Sequence, residues 1–208
     1  MFHATDKARL GKLLHVYNEY PSQRDEVVAE IEREFQQTAG IFVLDSCSFS
    51  RLVRTTGIIH QLSLLERLER LVLPIIQAAG GRLLRREADN LFAIFSGAGA
   101  AAAAAAAVIQ AVATANGPLP AAEEIYVSIG IGYGSVLVVG DDDLFGDEMN
   151  LACKLGEDVA QQSEVLLTAN AYEALATTGW QCEELALSVS GIEVTAYRLV
   201  LDGKTTHS

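Results

Sequence analysis

Two aspartates stand where a carboxylate could meet a ligand. Asp45 follows the apolar run Ile41-Phe42-Val43-Leu44, which predicts a strand buried on both faces, with the aspartate at its carboxyl end. Asp89 lies in Glu87-Ala88-Asp89-Asn90, a tight turn predicted between strands 82–87 and 91–95. In a sheet that sets the first strand beside the third, these carboxylates approach and repel one another. A pair of Mg²⁺ ions bridging a triphosphate resolves that repulsion. On the residues alone, an equal alternative is that Asp45 caps the next turn and Asp89 only fills a hairpin. After Asp45, Ser46-Cys47-Ser48-Phe49-Ser50 is short-chained and rich in backbone donors, a turn able to cradle phosphate oxygens. Further on, an acidic turn, Asp141-Asp142-Asp143, precedes a predicted helix that sets Asn150 and Lys154 on one face. A neutral amide and a point cation at that spacing suit a ribose and its phosphates; a solvated polar face is the plainer reading.

Placing these groups takes a particular series of elements. The first forty residues predict two helices, the second capped by Ser22 with Asp25, carrying Val27, Val28, Ile31 and Phe35 on one face and ending at Thr38-Ala39-Gly40. A strand at 41–44 is followed by an amphipathic helix over 58–79, with Leu62, Leu65, Leu68, Leu71 and Val72 turned inward. After the 82–95 hairpin, the alanine run to Val108 and beyond predicts a helix able to pack close to a sheet. A strand at 125–131 with a partner at 136–139, a helix over 147–161, a strand at 165–168, a helix at 169–176 and a closing antiparallel pair over 183–201 complete the series. The order strand, helix, strand, strand, helix, strand is the split βαβ arrangement of ferredoxin-like sheets. The fold class expected is α+β: a ferredoxin-like βαββαβ sheet with extra C-terminal strands, preceded by two N-terminal helices.

Composition narrows the partners. Fifteen basic residues against twenty-seven acidic ones give a formal charge of −12, which argues against a grip on nucleic-acid backbone or an anionic membrane surface. It leaves room for a small phosphorylated ligand, since a bound metal overrules the average field. Cys47, Cys153 and Cys182 are odd in number and widely spaced, and no secretory leader is evident, so reduced thiols and a cytoplasmic location are expected. No apolar run is expected to reach membrane-spanning length. His60 and Cys153 read as structural, and Trp180 as cover for the core's edge.

With these motifs in order, the chain resembles the class III nucleotide cyclase catalytic domain over roughly residues 40–201, leaving 1–39 as a helical extension and 202–208 as a tail. Residues 43–50 look like that family's opening strand and phosphate loop, 80–95 its second metal-binding hairpin, and 130–155 its glycine-containing hairpin, base-reading turn and catalytic helix. The resemblance implies that Asp45, Asp89 and Ser46 hold two Mg²⁺ (or Mn²⁺) ions and that Ser48, Phe49 and Ser50 contact phosphates. It implies that Asp143 and Arg85 read the base, with ATP favoured, that Asn150 orients the ribose, and that Lys154 meets the transferring phosphoryl group. It also implies a site shared between the protomers of a homodimer, with no nucleic acid or membrane partner. Four positions depart from the pattern: Ala88 and Ser48 replace glycines, Lys154 an arginine, and Ser190 a triphosphate-binding lysine. A degenerate domain that binds nucleotide or dimerises without turnover is the alternative. A diguanylate cyclase fits less well, because Arg86-Glu87-Ala88-Asp89-Asn90 lacks that family's double glycine and following glutamate.

Overall fold

The computed structural model describes residues 3–47, 57–189 and 192–201. The chain opens with α1 (His3–Glu19), a 3-10 turn (Pro21–Gln23) and α2 (Arg24–Phe35), then passes into β1 (Gln36–Ser46). Next come α3 (Ile58–Ala78), β2 (Arg82–Glu87), β3 (Asn90–Phe95) and α4 (Ala98–Asn116). They are followed by β4 (Val127–Val139), β5 (Asp143–Phe145) and α5 (Asp147–Cys153), which runs on into a π-helical stretch (Lys154–Val159). β6 (Val165–Thr168), α6 (Ala169–Leu175), β7 (Cys182–Val189) and β8 (Ile192–Leu199) end the fold.

The eight strands form one sheet in the order β2-β3-β1-β4-β6-β8-β7, with β5 paired to β4. β1 is central and antiparallel to both β3 and β4, so β4-β1-β3-β2 with α3 and α4 is the expected ferredoxin-like half. β4 runs parallel to β6, which carries β8 and β7 beyond it as the added C-terminal strands. Ile41, Phe42, Val43 and Leu44 are fully buried because both faces of β1 are covered. Phe42 and Leu44 pack with α3, α4 and α6, whereas Ile41 and Val43 pack with Met149 and Ala152 of α5. Burial of that kind stabilises by about 2 kcal/mol per side chain. The alanines of α4 let it lie close to the sheet: Ala101, Ala102 and Ala105 are fully buried. A Cβ on Gly40 would come 2.5 Å from the Gly97 carbonyl oxygen at the entry to that helix.

Several local expectations are corrected. α2 ends at Phe35 and β1 begins at Gln36, because Gln36–Gly40 pairs with Tyr133–Leu137 of β4 rather than finishing a helix. Pro21 starts a 3-10 turn that takes in Ser22, and no side chain caps α2 at Gln23. The buried stripe of α3 is Gln61, Leu64, Leu68, Val72 and Ile76, so Leu62, at 50% exposure, faces outward. Residues 125–139 are not a hairpin: β4 is one continuous strand, and its hairpin partner is β5. α4 is long and apolar enough to cross a membrane by length and composition, contrary to expectation, although its alanine face is core here. The N-terminal pair packs on the domain, with Leu13, Val27, Ile31 and Phe35 clustering on Val139 of β4.

Candidate active site

Strand register sets the two aspartates side by side. Asp45 on β1 faces Asn90 on β3, and Asp89 is the residue before Asn90, in the turn from β2. Burial, reinforced by the charges of Asp89, Glu157 and Asp158, pushes the Asp45 carboxyl up to about 6. Asp89 is also raised by burial, with its own backbone N–H pulling the other way. The turn holds Ala88 at φ 52°, a left-handed conformation that disfavours a residue with a Cβ. Ser46 continues β1 opposite Val127, and the Cys47 N–H donates to the Tyr126 carbonyl at 2.8 Å, which anchors the end of the strand. Burial raises the Cys47 thiol. Ser48, Phe49, Ser50 and Ser190 lie outside the described residues.

Asn150 is presented by α5 and Lys154 by the start of the π-helical stretch that continues it, and α5 lies in a trough of glycine on β4. A Cβ on Gly130 would fall 2.0 Å from the Ala152 carbonyl oxygen, one on Gly132 2.8 Å from the Glu148 carbonyl oxygen, and one on Gly134 2.8 Å from Glu148 Cγ. Gly156, in the π-helical stretch, meets the Gly130 backbone nitrogen and the Val43 carbonyl oxygen in the same way. This backbone-on-backbone contact accompanies the widening of the helix, which was expected to stay regular to Gln161. The Lys154 N–H is shared between the Asn150 and Leu151 carbonyls, and the Ala160 N–H donates to the Leu155 carbonyl at 2.7 Å. Wide turns of this kind recur at functional sites. Asn150 is exposed and Lys154 half-buried.

The base-reading candidates lie on β2 and β5. Arg85 lies on β2 with its guanidinium 4.6 Å over the Phe92 ring and Nη2 3.4 Å from Glu87 Oε2. Asp143 lies on β5 opposite Val139, and its carboxylate is 3.0 Å from Lys7 Nζ of α1, which also reaches Asp142 at 2.8 Å. An ion pair of Arg82 with Asp141 at 3.1 Å joins β2 to the turn before β5, linking the two elements that carry Arg85 and Asp143.

Sequence reasoning missed four groups. Glu148 is a buried carboxylate with hydrogen-bond donors from three directions. Glu157 and Asp158 thicken the negative field around Asp45. Lys7 tethers the N-terminal helix to the acidic turn. The alternating glycines 130, 132 and 134, which leave one strand face bare for a helix, were the available signal for Glu148; the others depend on tertiary contacts.

Among the described residues, no three acidic, histidine or cysteine side chains form a ready metal cage. The donor set still fits a hard divalent ion. Mg²⁺ takes one or two carboxylates and completes its shell with water and substrate phosphates, and the burial and carboxylate repulsion that together raise Asp45 are what such an ion offsets.

No family model matches the chain. A protein from Rhizobium meliloti (strain 1021) described as putative adenylate cyclase 3 is 30% identical over 138 residues, 66% of this chain, and the chain spans 23% of that protein's length. The adenylate/guanylate cyclase/hydrolase of Silicibacter pomeroyi superposes with a TM-score of 0.69 at 24% identity, covering 80% of this chain and 98% of that one. The guanylate cyclase domain of RhGC from Catenaria anguillulae, in complex with GTP, gives a TM-score of 0.68 at 17% identity, covering 80% and 98%. The adenylyl cyclase CyaB of P. aeruginosa gives 0.64 at 21% identity, covering 79% and 95%. The chain therefore has the fold of the class III adenylyl and guanylyl cyclase catalytic domain, and its sequence resembles a relative described as a putative adenylate cyclase.

Proposed function

We propose that this chain is a nucleotide cyclase domain that converts a nucleoside triphosphate, ATP by preference, into a 3′,5′-cyclic nucleotide and pyrophosphate at a site completed by a second protomer. The observation that carries this reading is the register that puts Asp45 and Asp89 together at one end of β1 and β3. In the reaction the ribose 3′-hydroxyl gives its proton to solvent as its oxygen bonds to the α-phosphorus, the bond from that phosphorus to the bridging oxygen breaks, and pyrophosphate leaves with its electron pair. When bound by Asp45, Asp89 and the neighbouring Ser46, Mg²⁺ would supply charge neutralisation for the triphosphate and a lower pKa for the 3′-hydroxyl.

The chain's own groups would do the rest. Asn150, exposed on α5, orients the ribose, and Lys154, one turn on, meets the negative charge that grows as the phosphoryl group transfers. Lysine supplies charge without the planar fork of an arginine, so it holds one oxygen rather than two. Asp143 accepts from an exocyclic amine and Arg85 donates to a ring nitrogen, which favours adenine. Structures of the same fold in complex with GTP and with ATPαS support a nucleoside triphosphate as substrate.

The test is an assay with each nucleoside triphosphate and Mg²⁺ or Mn²⁺. Cyclic product that disappears in Asp45→Ala supports the reading. Ala88 held left-handed beside Asp89 favours one competing reading, a degenerate domain. Tight nucleotide binding without product from any of the triphosphates would establish that reading instead.

A further inference from the structure

We infer that Glu148 is a positioning residue, whose carboxylate fixes the depth and rotation of α5 and so the placement of Asn150 and Lys154; this rests on the cyclase reading above. Two independent observations carry it. The first is space. The Glu148 side chain lies along the Gly132–Gly134 strip of β4, its Cγ 2.8 Å from where a Gly134 Cβ would stand and its Oε2 3.2 Å from a Gly132 Cβ. The strand has given up two side chains at the place this one occupies.

The second is hydrogen bonding. Oε2 accepts from the Tyr133 backbone N–H at 3.1 Å and from the Thr168 hydroxyl at 2.7 Å, while Oε1 accepts from the Asn170 side-chain amide at 2.7 Å. Those donors come from β4, from the end of β6 and from the first turn of α6. Thr168 in turn caps α6 by accepting from the Ala171 N–H at 3.2 Å. A buried carboxylate that lost these donors would be costly, so the network has one low-energy arrangement. Glu148 sits two residues before Asn150 in the first turn of the helical stretch 147–159, so its anchorage holds the end of that helix that carries Asn150. Glu148 touches no reacting atom; it acts through the helix.

A swap tests this. Asn170→Asp places two carboxylates where Oε1 now meets an amide, and Glu148→Gln in the same chain returns a donor–acceptor pair with the roles exchanged. We expect Asn170→Asp to lower kcat by at least about tenfold with KM within about twofold, and Glu148→Gln/Asn170→Asp to restore it. Glu148→Ala, if it folds, should lose on the order of 10²-fold in kcat. Hydrogen exchange of the α5 amides, read without nucleotide, should speed up in Asn170→Asp and return in the double variant. A melting temperature that falls while kcat and α5 exchange hold steady would overturn the inference, as would a double variant no better than Asn170→Asp alone. A wild-type protein that cyclises no triphosphate overturns the cyclase reading only, and the exchange measurements then decide the positioning role by themselves.

Discussion

Ala88 shows how a single Cβ can bear on a metal-binding turn. A left-handed φ costs a non-glycine residue roughly 1–2 kcal/mol, and glycine returns part of that through its greater freedom in the unfolded chain. Ala88→Gly is therefore expected to stabilise the protein by about 0.5–1 kcal/mol, read as a higher urea midpoint with an unchanged m-value. The Asp45 carboxyl gives a second residue-level prediction. Its folded value, about 6, stands above the 3.8 of a free aspartate, so the folded chain holds this proton more tightly than the unfolded one. Its contribution is thus intact below about 4 and is lost as the pH climbs through 6. Melting temperatures taken in EDTA should fall over that interval, Asp45→Asn should flatten the fall, and Mg²⁺ at neutral pH should raise the wild type but not Asp45→Asn.

At the scale of elements, the contact of β4 with α5 is the part least open to change. Gly130→Ala would drive a methyl into the Ala152 carbonyl, backbone that has no rotamer to yield. A loss of about 2–3 kcal/mol by chemical denaturation is expected, together with a drop in turnover as α5 lifts. α1 makes the contrasting case. Lys7 holds Asp142 and Asp143 through half-exposed ion pairs, so Lys7→Ala should barely move stability, and less still at high salt. Its effect should appear in the KM ratio between ATP and GTP, because Asp143 is left to reorient; an unchanged ratio would remove Asp143 from base reading. These elements also mark where sequence was readable. The apolar run 41–44 and the two-residue turn at Ala88-Asp89 are local signals, and they placed both aspartates. The sequence predicts two strands, 125–131 and 136–139, where one continuous strand runs; Gly132 and Gly134 between them clear the floor under Glu148, a purpose visible only once α5 is in position. The π-helical turn goes with the meeting of Gly130 and Gly156 across two elements, and the true inward stripe of α3 depends on which neighbour it faces. Neither is encoded in a window of adjacent residues.

For the whole molecule, the proposal requires the metal-binding aspartates of one protomer to work with Asn150 and Lys154 of another. Asp45→Ala and Asn150→Ala proteins should each be inactive alone, and mixing them should regain activity through mixed dimers that keep one intact site. No recovery on mixing, with dimers present by light scattering, would place the whole site within one chain. The order of strands was foreseeable because it follows from connection rules that a string of predicted elements already obeys. The seating of the N-terminal helices on Val139 was not, since an apolar face announces that it will be covered without naming the cover.

One junction reaches further than its size suggests. α2 passes into β1 between Phe35 and Gln36 without a single loop residue, and the strand it enters ends in the carboxylate pair. Slack is what lets an appended segment move independently of the body that carries it, and there is none here. A torque applied to the leading helices would pass as along a drive shaft, down roughly 30 Å of central strand to Asp45.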